Sequence, residues 1–546
     1  MPPKLVFVDG DSIKTIKDRD KRRKIRSDII KRSWASQKSR HTRLVAGSVA
    51  GIGSDAQQTL LEKTAMQEIP CLEPPDDAIG VVAHRSSPII SPISHLSSSR
   101  SDPFRCFGLE PHDQFNQGIL DYCVNELWPG FRPHANYAAE FSQCWFALAA
   151  QNAVVMAAIM FSASAHRHLR INMGWSVVTS KHIKRHLQLK GSAIKTLREE
   201  FTREIMPDKI DEMIYAILCL SSTENAATST PRLPDPTNFE PLPLESQWLL
   251  LYGRIEFDPT HFNAVLALVR LAGGITKLRT YSLGWLVFFA SLMGAAEDVK
   301  APNFPPVDMY GDLYSYQSPM RLLLIFDPPW HHRSLQGGFH AFQYMNIRPE
   351  IIQTLLDVSE FSQALERGFA GSLDHKVTTP LLDSRSHLVY RILSLPTSTE
   401  NIMVQTSMIQ NNEEATFALT LYHCARSATQ LYSLHVIFPG PRTADVRRIL
   451  LPKIMEQISD IMNGDGGHSE SAMQLIAWAC MVAAIASSAD TRKDGENTEQ
   501  WFLYHLSLAA AKLGISDYTG MKEVLQLFGW IDVVCDKHGM VMWNNR

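Results

Sequence analysis

The chain has 546 residues, enough for three or four domains of ordinary size or for fewer large ones. With 45% hydrophobic and 20% charged residues it can bury a substantial core, which excludes disorder along its whole length. The formal net charge of −3 conceals a division: residues 1–45 hold 14 Lys+Arg against 5 Asp+Glu, a net of +9, and the remaining 501 carry a net of −12. A basic arm on an acidic body implies that the two parts meet different partners.

The chain opens with Leu5–Val8, the one clean short strand candidate, followed by Asp9-Gly10-Asp11. Paired aspartates after a strand resemble the nucleophile and general acid of haloacid-dehalogenase phosphotransferases. Here a polybasic run follows in place of an α/β domain, so a polar turn is the better reading. The apolar stretch is also too short for a secretory leader. The basic run spans Lys14–Arg26 and continues to Arg43, without Pro or Gly from Ser12 to Ala46. Lys21, Arg22, Arg23, Lys24, Arg26, Lys31, Arg32, Lys38, Arg40 and Arg43 are the candidate residues for nuclear import, for nucleic-acid contact, or for both. Such residues contact phosphates with salt-dependent affinity and supply position without sequence readout. Trp34 is the single aromatic in the basic stretch, which argues against a stacking platform for single strands. A solvated tail is the bland alternative.

Gly47, Gly51 and Gly53 have the spacing of a dinucleotide-binding loop, but Ser39–Arg43 before them is no buried strand. Tyr518 and Lys522 have Tyr-x-x-x-Lys spacing, yet they lie on the expected C-terminal amphipathic helix. Residues 46–69 are mixed, with a short helix expected near Thr59–Met66, and residues 70–103 hold six Pro and eight Ser, a flexible linker. Beyond it, 104–546 reads as an all-α body. Proline-rich breaks fall at Ser222–Gln247 and about 298–349.

Helical periodicity carries that reading. Ile210, Met213, Ile214, Ile217 and Leu218 fall on one face, with Asp208 as candidate N-cap and Asp211 in the first turn. Leu451, Met455, Ile458 and Met462 mark a second stripe, and Met521, Val524, Leu525 and Phe528 a third over 519–535, continued by Ile531 and Val534. Three charge-free runs, Phe141–Ala165, Tyr281–Ala296 and Ala472–Ala489, are expected to be buried helices of a soluble body, not membrane spans.

Signals for chemistry are weak. The eight cysteines are dispersed, no two within five residues of each other, which suits a reducing compartment and leaves no Cys-x-x-Cys pair for zinc or redox work. His166/His168, His182/His186 and His331-His332 are the closest histidine groups. The second has i, i+4 spacing but lacks an intervening Glu and a third ligand, so a solvated helix face is favoured over zinc. No catalytic, cofactor-binding or metal-ligating set is expected, and an enzyme or small-molecule sensor with a pocket between helices ranks last among the readings.

Several segments, in order, resemble the fungal-specific transcription-factor family, in the branch that keeps the helical regulatory domain without the zinc cluster. They are Phe7-Val8 with Lys24-Ile25-Arg26-Ser27; Ser101-Asp102-Pro103-Phe104 with Leu127-Trp128-Pro129; His261 through Leu268-Val269-Arg270-Leu271-Ala272-Gly273-Gly274-Ile275; Phe304-Pro305-Pro306; and Leu525 with Phe528-Gly529-Trp530. The resemblance implies a nuclear regulator of transcription, of a metabolic gene set, with an α-helical body. Full members read DNA through six cysteines holding two zinc ions, and here the first cysteine is Cys71, beyond the arm. A DNA-binding partner protein or the transcription machinery is the expected partner, with direct DNA contact left to the arm, no membrane, and a homodimer compatible with the body. A helical scaffold without DNA contact is the competing reading.

Overall fold

A computed structural model describes residues 114–546, apart from 133–135, 171–179, 203–208, 224–233, 241–245, 253–258, 319–337, 371–374, 405–411, 441, 465–468 and 490–492. The strand candidate Leu5–Val8, the basic arm, the Gly47–Gly53 run, the Ser/Pro-rich linker, Asp208 and His331-His332 lie outside the described residues. What is described is all-α, as expected: α-helices, short π and 3-10 segments and two isolated β-bridges, Val307 to Leu313 and Ile347 to Met403, with no strand among the described residues.

The first half begins with α1 (Gln114–Tyr122), which widens through a π-turn at Cys123–Leu127 into the short α2 (Trp128–Phe131). Helices α3 (Tyr137–Gln151) and α4 (Ala153–Arg170) divide the first charge-free run. The break is Asn152, extended at φ −133° and ψ 108°, whose side-chain oxygen accepts from the Val154 N–H at 2.9 Å. That run is therefore two helices, and α4 is buried between α5 (Ser180–Thr202) and α6 (Ile210–Thr223). The face of α6 spaced for burial is buried, Ile210 through Leu218. Asp211 does more than complement the helix N-terminus: its carboxylate accepts from the backbone N–H of Arg279 and Thr280 and from the Thr280 hydroxyl, at 2.8–2.9 Å.

After the short α7 (Leu249–Tyr252) comes α8 (Pro259–Ala272), whose end explains the Gly-Gly pair. Gly274 N–H donates to Val269 O at 2.9 Å and Gly273 N–H to Arg270 O at 3.1 Å, with φ +114° and +96°. This double closure needs left-handed backbone, which glycine adopts without a Cβ penalty. The second charge-free run forms α9 (Leu283–Asp298), apolar on nearly every side and packed against α6, α11 (His375–Leu393) and α14 (Thr443–Asn463). A helix that is apolar all round must be buried all round. It therefore links the two halves of the body.

The second half adds α10 (Pro349–Ala370), α12 (Thr399–Ile402), α13 (Asn412–Tyr432), α15 (Glu470–Ser487), α16 (Lys493–Lys512), α17 (Tyr518–Gln526) and α18 (Asp532–Asn545). The third charge-free run is α15, capped by the Ser469 hydroxyl and surrounded by α13, α14 and α16–α18. It is long and apolar enough to cross a membrane, but 83% of it is buried in the protein, as a core helix would be. Two expectations shift. Leu451 and Ile458 are buried as expected, but the seam of α14 runs through Leu450, Ile454 and Ile461, with Met455 and Met462 only at its edge. The single helix expected over 519–535 is two helices, broken at Gly529. Gly529 has φ +120°, and Trp478 Nε1–H donates to its carbonyl at 3.1 Å.

Candidate regulatory site around the central helix

Two features flank α9. On one side, Trp128, Phe131, Phe141, Tyr215, Tyr252, Phe289 and Met293 line a cleft of about 650 Å³, its mouth included. Aromatic contacts frame it: Trp128 lies 5.0 Å from Phe141 between ring centres, and Tyr215 stacks on Trp145 at 3.8 Å. Its polar atoms are few and neutral. Burial pushes the Cys219 thiol up to about 11 and raises the Tyr215 hydroxyl well above its ordinary value. The Ser162 hydroxyl donates to Ile159 O at 3.2 Å. A thiol held protonated is not a nucleophile at neutral pH, and the cleft's lining is suited to apolar contact.

On the other side, α11 carries polar residues into the core. Asp383 forms an ion pair with Arg132, and burial raises its carboxyl pKa although Arg132 opposes the shift. Asp357 on α10 likewise pairs with Arg391. Arg385 is different. It is fully buried, and its one hydrogen bond runs from Nη2 to the neutral side-chain oxygen of Gln247 at 2.6 Å. Nε and Nη1 of Arg385 and Nε2 of Gln247 have no hydrogen-bond partner among the described residues. Desolvation lowers the guanidinium to about 9, and the carboxylate of Asp383 counteracts this.

The Gln247 backbone is itself strained. Gln247 and Trp248 have φ +66° and +53°, two consecutive left-handed residues, neither of them glycine. The conformation is held by Trp248, whose indole N–H donates to Leu127 O at 2.9 Å. The same indole lies so close to Gly130 that a Cβ there would be 2.2 Å from its ring. Backbone strain and a buried cation bonded to a neutral acceptor thus meet beside α9, against which α11 packs.

The residues singled out from sequence are placed elsewhere. The ten basic residues from Lys21 to Arg43 are outside the described residues. The solvated face expected for His182/His186 is corrected: His186 is buried, its Nδ1 lies 3.2 Å from the Ser164 hydroxyl, and its ring stacks on His168 at 5.8 Å. The apolar face of α4 that α5 covers draws it inward. His166 is also buried, with Nδ1 2.7 Å from the Tyr122 hydroxyl. No three metal-ligating side chains come together among the described residues. Tyr518 and Lys522 do meet, but through Asp536: the Tyr518 hydroxyl donates to it at 3.1 Å and Lys522 Nζ at 2.6 Å, while Lys522 also reaches Asp532 at 2.5 Å. That is a structural clamp between α17 and α18.

Arg385 was missed by sequence reasoning, although a signal existed. Leu381, Leu382, Leu388, Val389 and Ile392 stand at i−4, i−3, i+3, i+4 and i+7 from it, and all are buried. A charge centred on an apolar stripe is unusual enough to mark a site.

A model of the fungal specific transcription factor domain family matches residues 119–528, from α1 to just beyond α17. No curated protein and no solved structure matches the chain.

Proposed function

The chain belongs to the fungal specific transcription factor family, and from that premise we propose that it is a nuclear regulator whose basic arm and helical body divide the work. The family is one of transcription-factor domains and not of enzymes, and it supports a role in transcriptional regulation in the nucleus. The observation that carries the reading is this match over the helical body, beside an arm of net charge +9. Lys21, Arg22, Arg23, Lys24 and Arg26 serve nuclear import and non-specific contact with DNA phosphates. Sequence selection comes from a DNA-binding partner protein, because a Lys/Arg run positions without reading base edges. The regulated genes form a metabolic set.

Chromatin occupancy of the full protein beside a version lacking residues 1–45 tests this division. Selective occupancy that persists without the arm, in protein forced into the nucleus, supports recruitment by a partner. Absence of occupancy with the arm intact points instead to a scaffold that does not act at DNA.

A further inference from the structure

Three backbone irregularities fall together on one wall of the aromatic cleft beside α9. The π-turn at Cys123–Leu127 widens the end of α1, Gln247 and Trp248 are both left-handed, and Gly130 admits the Trp248 indole where a Cβ would collide with it. All three act on one short segment. The Trp248 indole N–H holds the Leu127 carbonyl at 2.9 Å, its ring packs on Gly130, and Leu127, Trp128 and Phe131 form the wall. Left-handed residues other than glycine cost stability, and they and π-turns collect at functional sites. Here the strain at Gln247 and Trp248 fixes the shape of a cleft.

Among the described residues nothing fills the space behind that wall. An interior of about 80 Å³ opens into a mouth that brings the total to about 650 Å³. Apolar side chains facing an unfilled space forfeit the contacts that a close-packed core supplies. No charged side chain is among the described lining residues. The polar ones are Ser162, Tyr215, Cys219 and Tyr252, and burial keeps them neutral: it raises both phenols well above their ordinary value and the thiol to about 11. An ion would leave water here without a counter-charge, whereas a neutral ring recovers the missing contacts. Size narrows the choice further. An apolar cavity of roughly 150 Å³ holds a whole benzene ring. This smaller interior takes one ring edge first, with the rest of the molecule in the mouth, and has no room for fused rings.

We propose that this cleft binds a neutral single-ring aromatic molecule with one small uncharged polar substituent, the ring lying against Phe131 of α2 and Phe289 of α9 and the substituent in the mouth. Aromatic walls suit an aromatic guest, because ring edges and faces attract beyond the area they bury. Phe289 and Met293 of α9 line the cleft, and the same helix packs against α11 and α14 of the second half. Occupancy therefore bears on the helix that joins the halves. The site belongs to the helical body alone and does not depend on what the basic arm contacts.

The test is thermal unfolding of the full chain with phenol and benzyl alcohol, beside the similarly sized ions benzoate and benzylammonium, and with the two-ring 2-naphthol. A ligand that binds the folded state raises the melting temperature with concentration. Phenol and benzyl alcohol are expected to do so, and the two ions and 2-naphthol are not. Ala290→Leu fills the cleft from α9 and is expected to weaken the response by about tenfold or more in affinity. Leu286→Ala removes a half-buried side chain from the lining and is expected to admit 2-naphthol, a gain that can be read even if the filled variant does not fold. No shift with either neutral ring, equal shifts with the ions, a response of the parent to 2-naphthol as large as to phenol, or responses unchanged in Leu286→Ala would each overturn the proposal.

Discussion

Lys522 and Asp536 meet at 2.6 Å across the break that separates α17 from α18. The same ammonium reaches Asp532 at 2.5 Å, and Asp536 also accepts from the indole N–H of Trp530 at 2.7 Å. One lysine thus holds two carboxylates that would otherwise repel each other at the start of α18. Lys522→Met is expected to destabilise the protein by about 2 kcal/mol, in the range of charge-assisted hydrogen bonds. Tyr518→Phe, which removes a single donor to Asp536, should cost about 1 kcal/mol. Urea unfolding of both variants checks the order, and a Lys522→Met protein as stable as the parent would reduce the clamp to a surface ion pair.

Two glycines separate backbone strain from steric exclusion. Gly338 has φ +60°, and a Cβ on it would lie 2.3 Å from the Leu527 carbonyl oxygen, a backbone atom with little room to move. Gly274 has φ +114° and nothing near its Cβ position. Gly274→Ala is expected to cost about 1–2 kcal/mol from conformation alone, and Gly338→Ala distinctly more, because strain and collision add. Equal losses in chemical denaturation would mean that α17 shifts to admit the methyl.

These cases show where the sequence was readable. The stripe of α6 and the Gly-Gly end of α8 are local: periodicity and a left-handed closure are written within ten residues. The break at Gly529 is not, because it depends on Ser362 lying 3.1 Å from where its Cβ would be and on Trp478 bonding its carbonyl. Met521, Val524, Leu525 and Phe528 therefore suggested a helix that tertiary contacts interrupt. The burial of His186 is hidden for the same reason, since i, i+4 spacing gives a face but not what covers it. The Arg385–Gln247 pair spans 138 residues, with Gln247 beside a proline-rich break, and no local pattern joins the two.

Acid should unfold this protein through its buried histidines. His186, His387 and His435 are lowered to about 4, chiefly by burial. A folded pKa below the unfolded value of about 6.5 means that the unfolded chain binds protons first, so stability is complete above pH ~6.5 and falls as the pH drops towards ~4. Asp357, Asp383 and Glu366 are raised by burial, so they favour the folded state as the pH falls and oppose the histidines at the acid end. His387→Phe keeps a ring among Tyr314, Tyr316 and Tyr390 without a titrating nitrogen. The variant is expected to show a shallower loss of stability between pH 6.5 and 4.5 in pH-dependent denaturation. An unchanged slope would remove His387 from the acid response.

The arm makes a separate, electrostatic prediction. If Lys21, Arg22, Arg23, Lys24 and Arg26 contact phosphates, the affinity of the full chain for a random duplex falls linearly on a log–log plot against salt, each contact adding about 0.9 to the slope. Replacing all five with Ala is then expected to flatten the slope by up to about 4.5 and to weaken binding equally for every sequence. The same variant is expected to lose nuclear accumulation. The two readouts divide the arm's roles, because import depends on recognition by a carrier and the salt slope on phosphate neutralisation. Loss of accumulation with an unchanged slope would leave the five residues as an import signal alone. A weaker but still sequence-selective affinity in the variant would place DNA reading in the helical body, against the division proposed for this chain.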